Sequence, residues 1–145
     1  MATMKLEIIT PEGVEYSDEA ELVVVRTIDG DRGVLANHAP FVTGVDIGKV
    51  KIKAGEEEHF MAASQGYMEV TPDKVTMLLE AAEFADEIDV ERALEAKKRA
   101  EERLDKKNKK HIDVQRAEVS LQKALNRLRV AKRDFGEFEV EETIE

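Results

Sequence analysis

The chain contains no cysteine. That absence excludes disulfides, thiolate catalysis and Cys-based zinc sites. No stretch approaches the roughly 18 apolar residues of a membrane-spanning helix. The opening residues, Met1-Ala2-Thr3-Met4-Lys5-Leu6-Glu7, offer no apolar core for a secretory signal. A soluble protein in the cytosol, or facing it, is the expectation. Catalytic groupings are missing as well. Ser17, Ser64 and Ser120 and the histidines His38, His59 and His111 stand far apart in unrelated contexts. There is no nucleophile elbow, phosphate-binding loop or HExxH spacing, so neither an intrinsic active site nor a metal site is expected. With 145 residues the chain can build one core of ordinary size, or a small domain with an appendage.

What is present falls into two differently written halves. Residues 1–86 are punctuated by Gly and Pro and rich in short β-branched runs. Residues 88–133 hold no Gly and no Pro. In the first half, strand-like runs appear at Lys5–Thr10, Glu21–Thr27, Lys49–Lys53, His59–Ala63, Tyr67–Val70 and Lys74–Leu79. Lys49 to Lys53 alternates strictly, which gives a strand one buried and one wet face. Turn signals separate the runs at Pro11-Glu12-Gly13, Asp29 to Gly33, Ala54-Gly55-Glu56 and Thr71-Pro72-Asp73. Many short strands with no helices between them predict an antiparallel β-sandwich.

The second half reads as an antiparallel two-helix hairpin over residues 87–133. Asp89 is a good N-cap for a helix running to about Leu104, and Asp113 for one running to about Arg133, ended by Gly136. A Lys-rich turn, Asp105 to Lys110, joins them. At about 100° per residue, Ala93, Ala96, Ala100 and Leu104 form one stripe. Ala117, Leu121, Ala124, Leu125 and Leu128 form the facing one. An alanine-lined seam buries little area, whereas a fully buried Leu contributes roughly 1.5–3 kcal/mol. Each helix alone has high propensity, so such a hairpin can open at modest cost. Residues 134–145 are acidic, with Phe135, Phe138 and Val140 scattered among them, and are expected to form a poorly ordered tail.

Charge follows the same division. Residues 1–85 carry seven Lys and Arg against sixteen Asp and Glu, residues 86–133 fifteen against ten, and residues 134–145 none against six. A basic hairpin on an acidic protein suits an acidic partner, and nucleic acid is not expected. Arg92 and Arg99 lie within roughly 20° of each other on the first helix. Arg116, Lys123 and Arg127 form a stripe on the second. The residues alone leave two readings open. These rows are a solvated flank with intrahelical Glu–Lys pairs, or a closed hairpin brings them together as a site for a polyphosphate anion. Asp89 likewise is a plain N-cap or a ligand-binding residue.

The segment Gly30–Gly48 reads, on chemistry alone, as a structural loop shaped by its glycines and Pro40, with His38 satisfied by backbone. Its pattern Gly30-x-x-Gly33-x-Leu35-x-x-His38-x-Pro40-x-x-Thr43 closely resembles the signature of the epsilon subunit of F-type ATP synthases. Gly66-Tyr67-Met68-Glu69-Val70 matches a second signature of that family. Ile88-Asp89-x-x-Arg92-Ala93 matches the motif that opens its C-terminal hairpin. The resemblance runs from residue 4 to about 133.

It implies a non-catalytic subunit with a ten-stranded sandwich that binds the foot of the gamma subunit and the c-subunit ring. It implies a peripheral place at the cytoplasmic face of the cell membrane, in an enzyme that moves protons or sodium ions. It implies a two-helix domain that lies folded or extends along the rotor, where it meets the catalytic beta subunits and inhibits ATP hydrolysis. The second helix, with six Lys and Arg against two acids, would then face an acidic segment of the beta subunit. In family members that bind ATP, alone or with Mg2+, the matching residues are Glu83, Ile88, Asp89, Arg92, Ala93, Arg99, Arg116, Lys123 and Arg127. Lys123 stands where such members usually carry Arg, which keeps the charge and removes the bidentate fork. Without the resemblance, a free ATP-sensing module or a helical-hairpin adaptor for an acidic partner fits the same residues. The acidic tail extends past the usual family end and receives no role.

Overall fold

A computed structural model describes residues 2–105 and 113–135, the last three as backbone. It divides into two compact units, residues 1–84 and 85–145.

The first unit is a ten-stranded sheet folded over on itself. The strands are β1 (Met4–Thr10), β2 (Gly13–Ala20), β3 (Leu22–Thr27), β4 (Gly30–Leu35), β5 (Phe41–Val45), β6 (Gly48–Ala54), β7 (Glu57–Ala63), β8 (Gly66–Val70), β9 (Lys74–Leu79) and β10 (Ala82–Phe84). One layer runs β5-β8-β9-β1-β2 and the other β4-β3-β6-β7-β10. Between them β3 meets β5 through a single residue pair, Thr27 with Val45. Alternation drives the layering. Met4, Leu6 and Ile8 of β1, Val23 and Val25 of β3, and Val75, Met77 and Leu79 of β9 all point into one shared core. Met61 and Met68 fill it from β7 and β8. At the far ends of the sheet, the rings of Tyr16 on β2, His59 on β7 and Phe84 on β10 lie 5.9–6.3 Å apart. Burial raises the Tyr16 hydroxyl above its ordinary pKa, with Asp18 and Glu57 adding to the effect.

The sandwich and the hairpin both match the sequence reading, with specific corrections. β1 and β9 pair parallel, so the sheet is not wholly antiparallel. About sixty residues separate these strands, ample chain for a parallel return. Lys74 Nζ lies 2.9 Å from Glu7 Oε1 across this pair. That hydrogen bond holds the Glu7 carboxyl below its usual range. The loop assigned to Gly30–Gly48 contains β4 and β5. β2 and β10 also escaped notice. β2 is acidic and mostly solvated, so it lacks an apolar alternation, and β10 has only three residues.

The signature residues explain themselves locally. Gly30 takes φ +109 at the β3–β4 turn, a conformation L side chains avoid. Arg26 Nε donates to Asp31 Oδ1 at 2.6 Å across the same turn. In the short connection after β4, Asn37 adopts φ 68 and its N–H donates to the Pro72 carbonyl at 2.7 Å. His38 Nδ1 lies 2.8 Å from the Ala39 carbonyl oxygen, so backbone does satisfy it. Its ring lies 5.0 Å from that of Phe41, over which the Arg32 guanidinium sits at 4.6 Å. Gly66 is required by close approach. A Cβ there would meet the Leu78 carbonyl and stand 2.8 Å from Leu79 Cα.

The second unit begins with a 3-10 turn, Ala85–Glu87, and continues as α1 (Val90–Asp105) and α2 (Val114–Phe135). Asp89 Oδ1 accepts from the Arg92 N–H, and Asp113 Oδ1 from the Arg116 N–H, each at 3.0 Å. Both aspartates are therefore N-caps. α2 runs on through Asp134 and Phe135, the first two residues assigned to the acidic tail, because nothing before Gly136 breaks the helix. The Lys-rich turn beyond Asp105 and the rest of that tail, residues 136–145, lie outside the described residues.

Candidate functional site: the helical hairpin

The seam between α1 and α2 is rich in alanine, with leucine joining it on α2. Ala93 and Ala100 are buried on α1, and Ala117, Ala124, Leu125, Leu128 and Ala131 on α2. Small side chains let the helices approach closely but bury little apolar area per residue. One position departs from the sequence reading. The α1 stripe runs Ala93, Lys97, Ala100, with Ala96 and Leu104 half-buried. The spacing i, i+4, i+7 was there to be read, but a lysine does not announce itself as a seam residue.

The antiparallel arrangement sets the first turn of α1 beside the last turns of α2. The 3-10 turn packs against α2 as well. Ala85 and Ile88 are buried there, and Ala93 is fully buried one turn further on. Asp89 and Arg92 are exposed at the same end. On α2, Lys123 and Arg127 are half-buried, and each is held by at least one polar or ionic interaction. Of the sequence-derived set, Ile88, Asp89, Arg92 and Ala93 stand together at the start of α1, while on α2 Lys123 lies at the middle of the helix and Arg127 one turn further on.

The remaining three are placed differently. Arg99 is exposed, two turns along α1 and roughly 10 Å from Arg92 by helical rise. Arg116 is exposed in the first turn of α2, about 16 Å along the axis from Arg127 and near the loop end of the hairpin. Glu83 stands on β10, in the first unit, and is partly buried. Among the described residues no group of three or more His, Asp or Glu side chains is arranged to hold a metal ion. The arrangement offers guanidinium and ammonium donors, which suit phosphate oxygens by charge and geometry.

The first unit carries a feature that needed the strand registers to be seen. Gly44, Tyr67 and Leu78 align across β5, β8 and β9. Leu78 aligns with Ile9 of β1, and Ile9 with Val14 of β2. Ile28 lies against Gly44, whose missing side chain leaves it room. Val14, Ile28, Tyr67 and Leu78 are 54–69% exposed. The result is an apolar row across five strands on the outer face of the sandwich, with Val42, also exposed, beside it.

A β-sandwich of ten strands followed by an alanine-rich basic two-helix hairpin is the class of architecture this chain presents. Residues 3–85 match the family profile described as ATP synthase, Delta/Epsilon chain, beta-sandwich domain. Residues 86–132 match that described as ATP synthase, Delta/Epsilon chain, long alpha-helix domain. The ATP synthase epsilon chain of Halalkalibacterium halodurans is 45% identical over 133 residues, 92% of this chain and all of that one. That of Bacillus velezensis is 49% identical over 131 residues, 90% of this chain and 98% of the relative. Among solved structures, a chain of the Euglena gracilis mitochondrial ATP synthase superposes with a TM-score of 0.73 at 21% identity, covering 84% of this chain and 77% of its own. A chain from the central stalk and c-ring of the Tetrahymena thermophila enzyme superposes with a TM-score of 0.54 at 12% identity, covering 92% and 96%. At those identities the structural likeness speaks for the fold. The chain belongs to the epsilon chain family of bacterial-type ATP synthases. The family role is that of a non-catalytic accessory subunit coupling through the central stalk, peripheral to a membrane-bound complex.

The cap at Asp89 separates helix formation from charge. Asp89→Ala should cost α1 about 1 kcal/mol, seen as faster hydrogen exchange at the Arg92 amide, while Asp89→Asn should leave that amide protected. A ligand-binding loss in Asp89→Asn would therefore report the carboxylate and not the helix.

Proposed function

We propose that this subunit couples the rotor to the c-subunit ring and brakes ATP hydrolysis through its hairpin, with ATP favouring the folded hairpin. The observation that carries the brake is the combination of a small-residue seam with cationic rows on both helices. The seam contributes little to holding the helices together. Closing them draws like charges near one another, which opposes closure. A polyphosphate offsets that repulsion, and a ligand that binds the closed form alone shifts the equilibrium toward it by mass action. Arg92, Lys123 and Arg127 are the leading contacts for the phosphates, with Arg99 and Arg116 extending the rows. Ile88 and Ala93 form the apolar side, and Asp89 supplies an acceptor. Mg2+ would accompany the nucleotide as its counterion and not as a protein-held metal.

When open, α2 presents its basic face to an acidic segment of the catalytic beta subunits. Attraction between the two resists rotation in the hydrolysis direction. The apolar row on the sandwich supports a stable interface with the gamma subunit, since a patch of this kind is costly to leave in water. The turns at the sandwich edge face the c-ring, and the complex lies at the cytoplasmic side of the membrane.

Three outcomes test this. Tyr67→Glu places a charge in the middle of the apolar row and should weaken co-purification with the gamma subunit at least tenfold, about 1.4 kcal/mol, with the sandwich still folded. Retained association would remove the row from the interface. A reconstituted synthase whose epsilon subunit lacks residues 88–145 should keep coupling and gain ATP hydrolysis, and unchanged hydrolysis would sink the brake. Calorimetric titration of the isolated full chain with ATP should give saturable binding that is lost in Arg92→Ala and in Arg127→Ala. An absence of heat at millimolar ATP would remove the nucleotide and leave the stalk role intact.

A further inference from the structure

The acidic residues that follow α2 have no part in the function above. Residues 136–145 hold five Glu and no Lys or Arg. The helix they follow has the opposite charge, with six Lys and Arg against two acids over Val114–Phe135. We propose that residues 136–145 turn back at Gly136 and lie on the cationic row Arg116, Lys123 and Arg127, as an internal anion that competes for it with polyphosphate and with an acidic partner. This deepens the nucleotide reading above and rests on it for the row, though not for the presence of a nucleotide. Arg116 is exposed, and Lys123 and Arg127 are half-buried. Lys123 and Arg127 each hold another interaction already. A guanidinium has five N–H donors and an ammonium three, so each can serve a carboxylate as well.

Reach and spacing favour this row. α2 stops at Phe135, and a glycine just past a helix end lets the chain reverse. An extended chain advances about 3.3 Å per residue and a helix about 1.5 Å. Laid back along α2, Glu139 comes about 13 Å from Phe135 and Glu141 about 20 Å. Arg127 lies about 12 Å back along the helix and Lys123 about 18 Å. Glu145 reaches about 33 Å, past Arg116 at about 28 Å. Glu137-Phe138-Glu139-Val140-Glu141 alternates strictly, which in an extended chain sets its carboxylates on one side, about 6.6 Å apart. Lys123 and Arg127, about 6 Å apart along the axis and about 40° apart around it, match that step. Tethering supplies the segment at an effective concentration on the order of millimolar, so weak pairing is enough to fill the row.

The chain has no cysteine, so Thr143→Cys gives a single site for a nitroxide label. The measurement is paramagnetic broadening of backbone amides in the full chain without nucleotide. Docking should broaden amides from Glu118 to Lys123. Salt at about 1 M, where the screening length is about 3 Å, should abolish the effect. So should the combined substitutions Glu137→Gln, Glu139→Gln and Glu141→Gln. Broadening confined to the last turns of α2 would overturn the inference. Broadening that survives the glutamines would do the same, since Phe138 and Val140 would then be the hold. Broadening passed from a labelled copy to an unlabelled one would place the segment on a second molecule and also overturn it. Calorimetry with ATP separates this inference from the nucleotide reading. The glutamine variant should bind about tenfold more tightly, as expected if the segment covers the row about nine-tenths of the time. Salt-sensitive broadening with no ATP binding by either chain would leave the segment on its row and remove the nucleotide. Equal ATP affinity in both chains would overturn the competition.

Discussion

Close approach of α1 and α2 through alanine is the constraint on which the behaviour of this protein turns. Two helices lined with leucine would bury enough apolar surface to close once and stay closed. Ala93 and Ala100 against Ala117 and Ala124 bring the backbones together while removing little surface from water. The helices need not unfold to part, because their caps at Asp89 and Asp113 and their strong helix formers belong to each helix separately.

The sandwich has the opposite character. Its core is filled by long and β-branched side chains drawn from every major strand. Alternation along β1, β3 and β9 sends half of each strand inward, and a one-residue slip would expose all of it. The parallel pairing of β1 with β9 ties the start of the unit to its end, and the Glu7–Lys74 bond crosses that pair. A rigid unit with an outward apolar row suits permanent attachment, and a hairpin with a poor seam suits exchange between states. The two units thus differ in the quality of their cores, which is what the proposed division into anchor and lever requires.

Much of this was legible in the residues. The change of writing near residue 86, the alternating runs, the two capping aspartates and the alanine stripes gave the architecture before any coordinates. Gly30, Gly33, His38, Gly66 and the Ile88-Asp89-x-x-Arg92-Ala93 run pointed to the family. What escaped is equally specific. β2 escaped because an edge strand of mainly solvated, acidic side chains carries no apolar period. β4 and β5 escaped because their glycines look like loop. Lys97 escaped because charge is normally read as surface, and a buried lysine is recognised only once a neighbouring helix is seen to cover it.

The local physics of the chain decided which segments become strand and which helix, where the helices start, and that the second half would be weakly seamed and basic. Those outcomes depend on backbone propensity, side-chain period and charge, all of which are properties of short stretches. Tertiary structure alone decided the registers that line up Val14, Ile9, Leu78, Tyr67 and Ile28 into one apolar row. It alone set the start of α1 beside the far half of α2, and buried Lys97 between them. These depend on residues remote in sequence meeting in space, and no local pattern encodes which strand lies beside which, or which face of a helix another will cover.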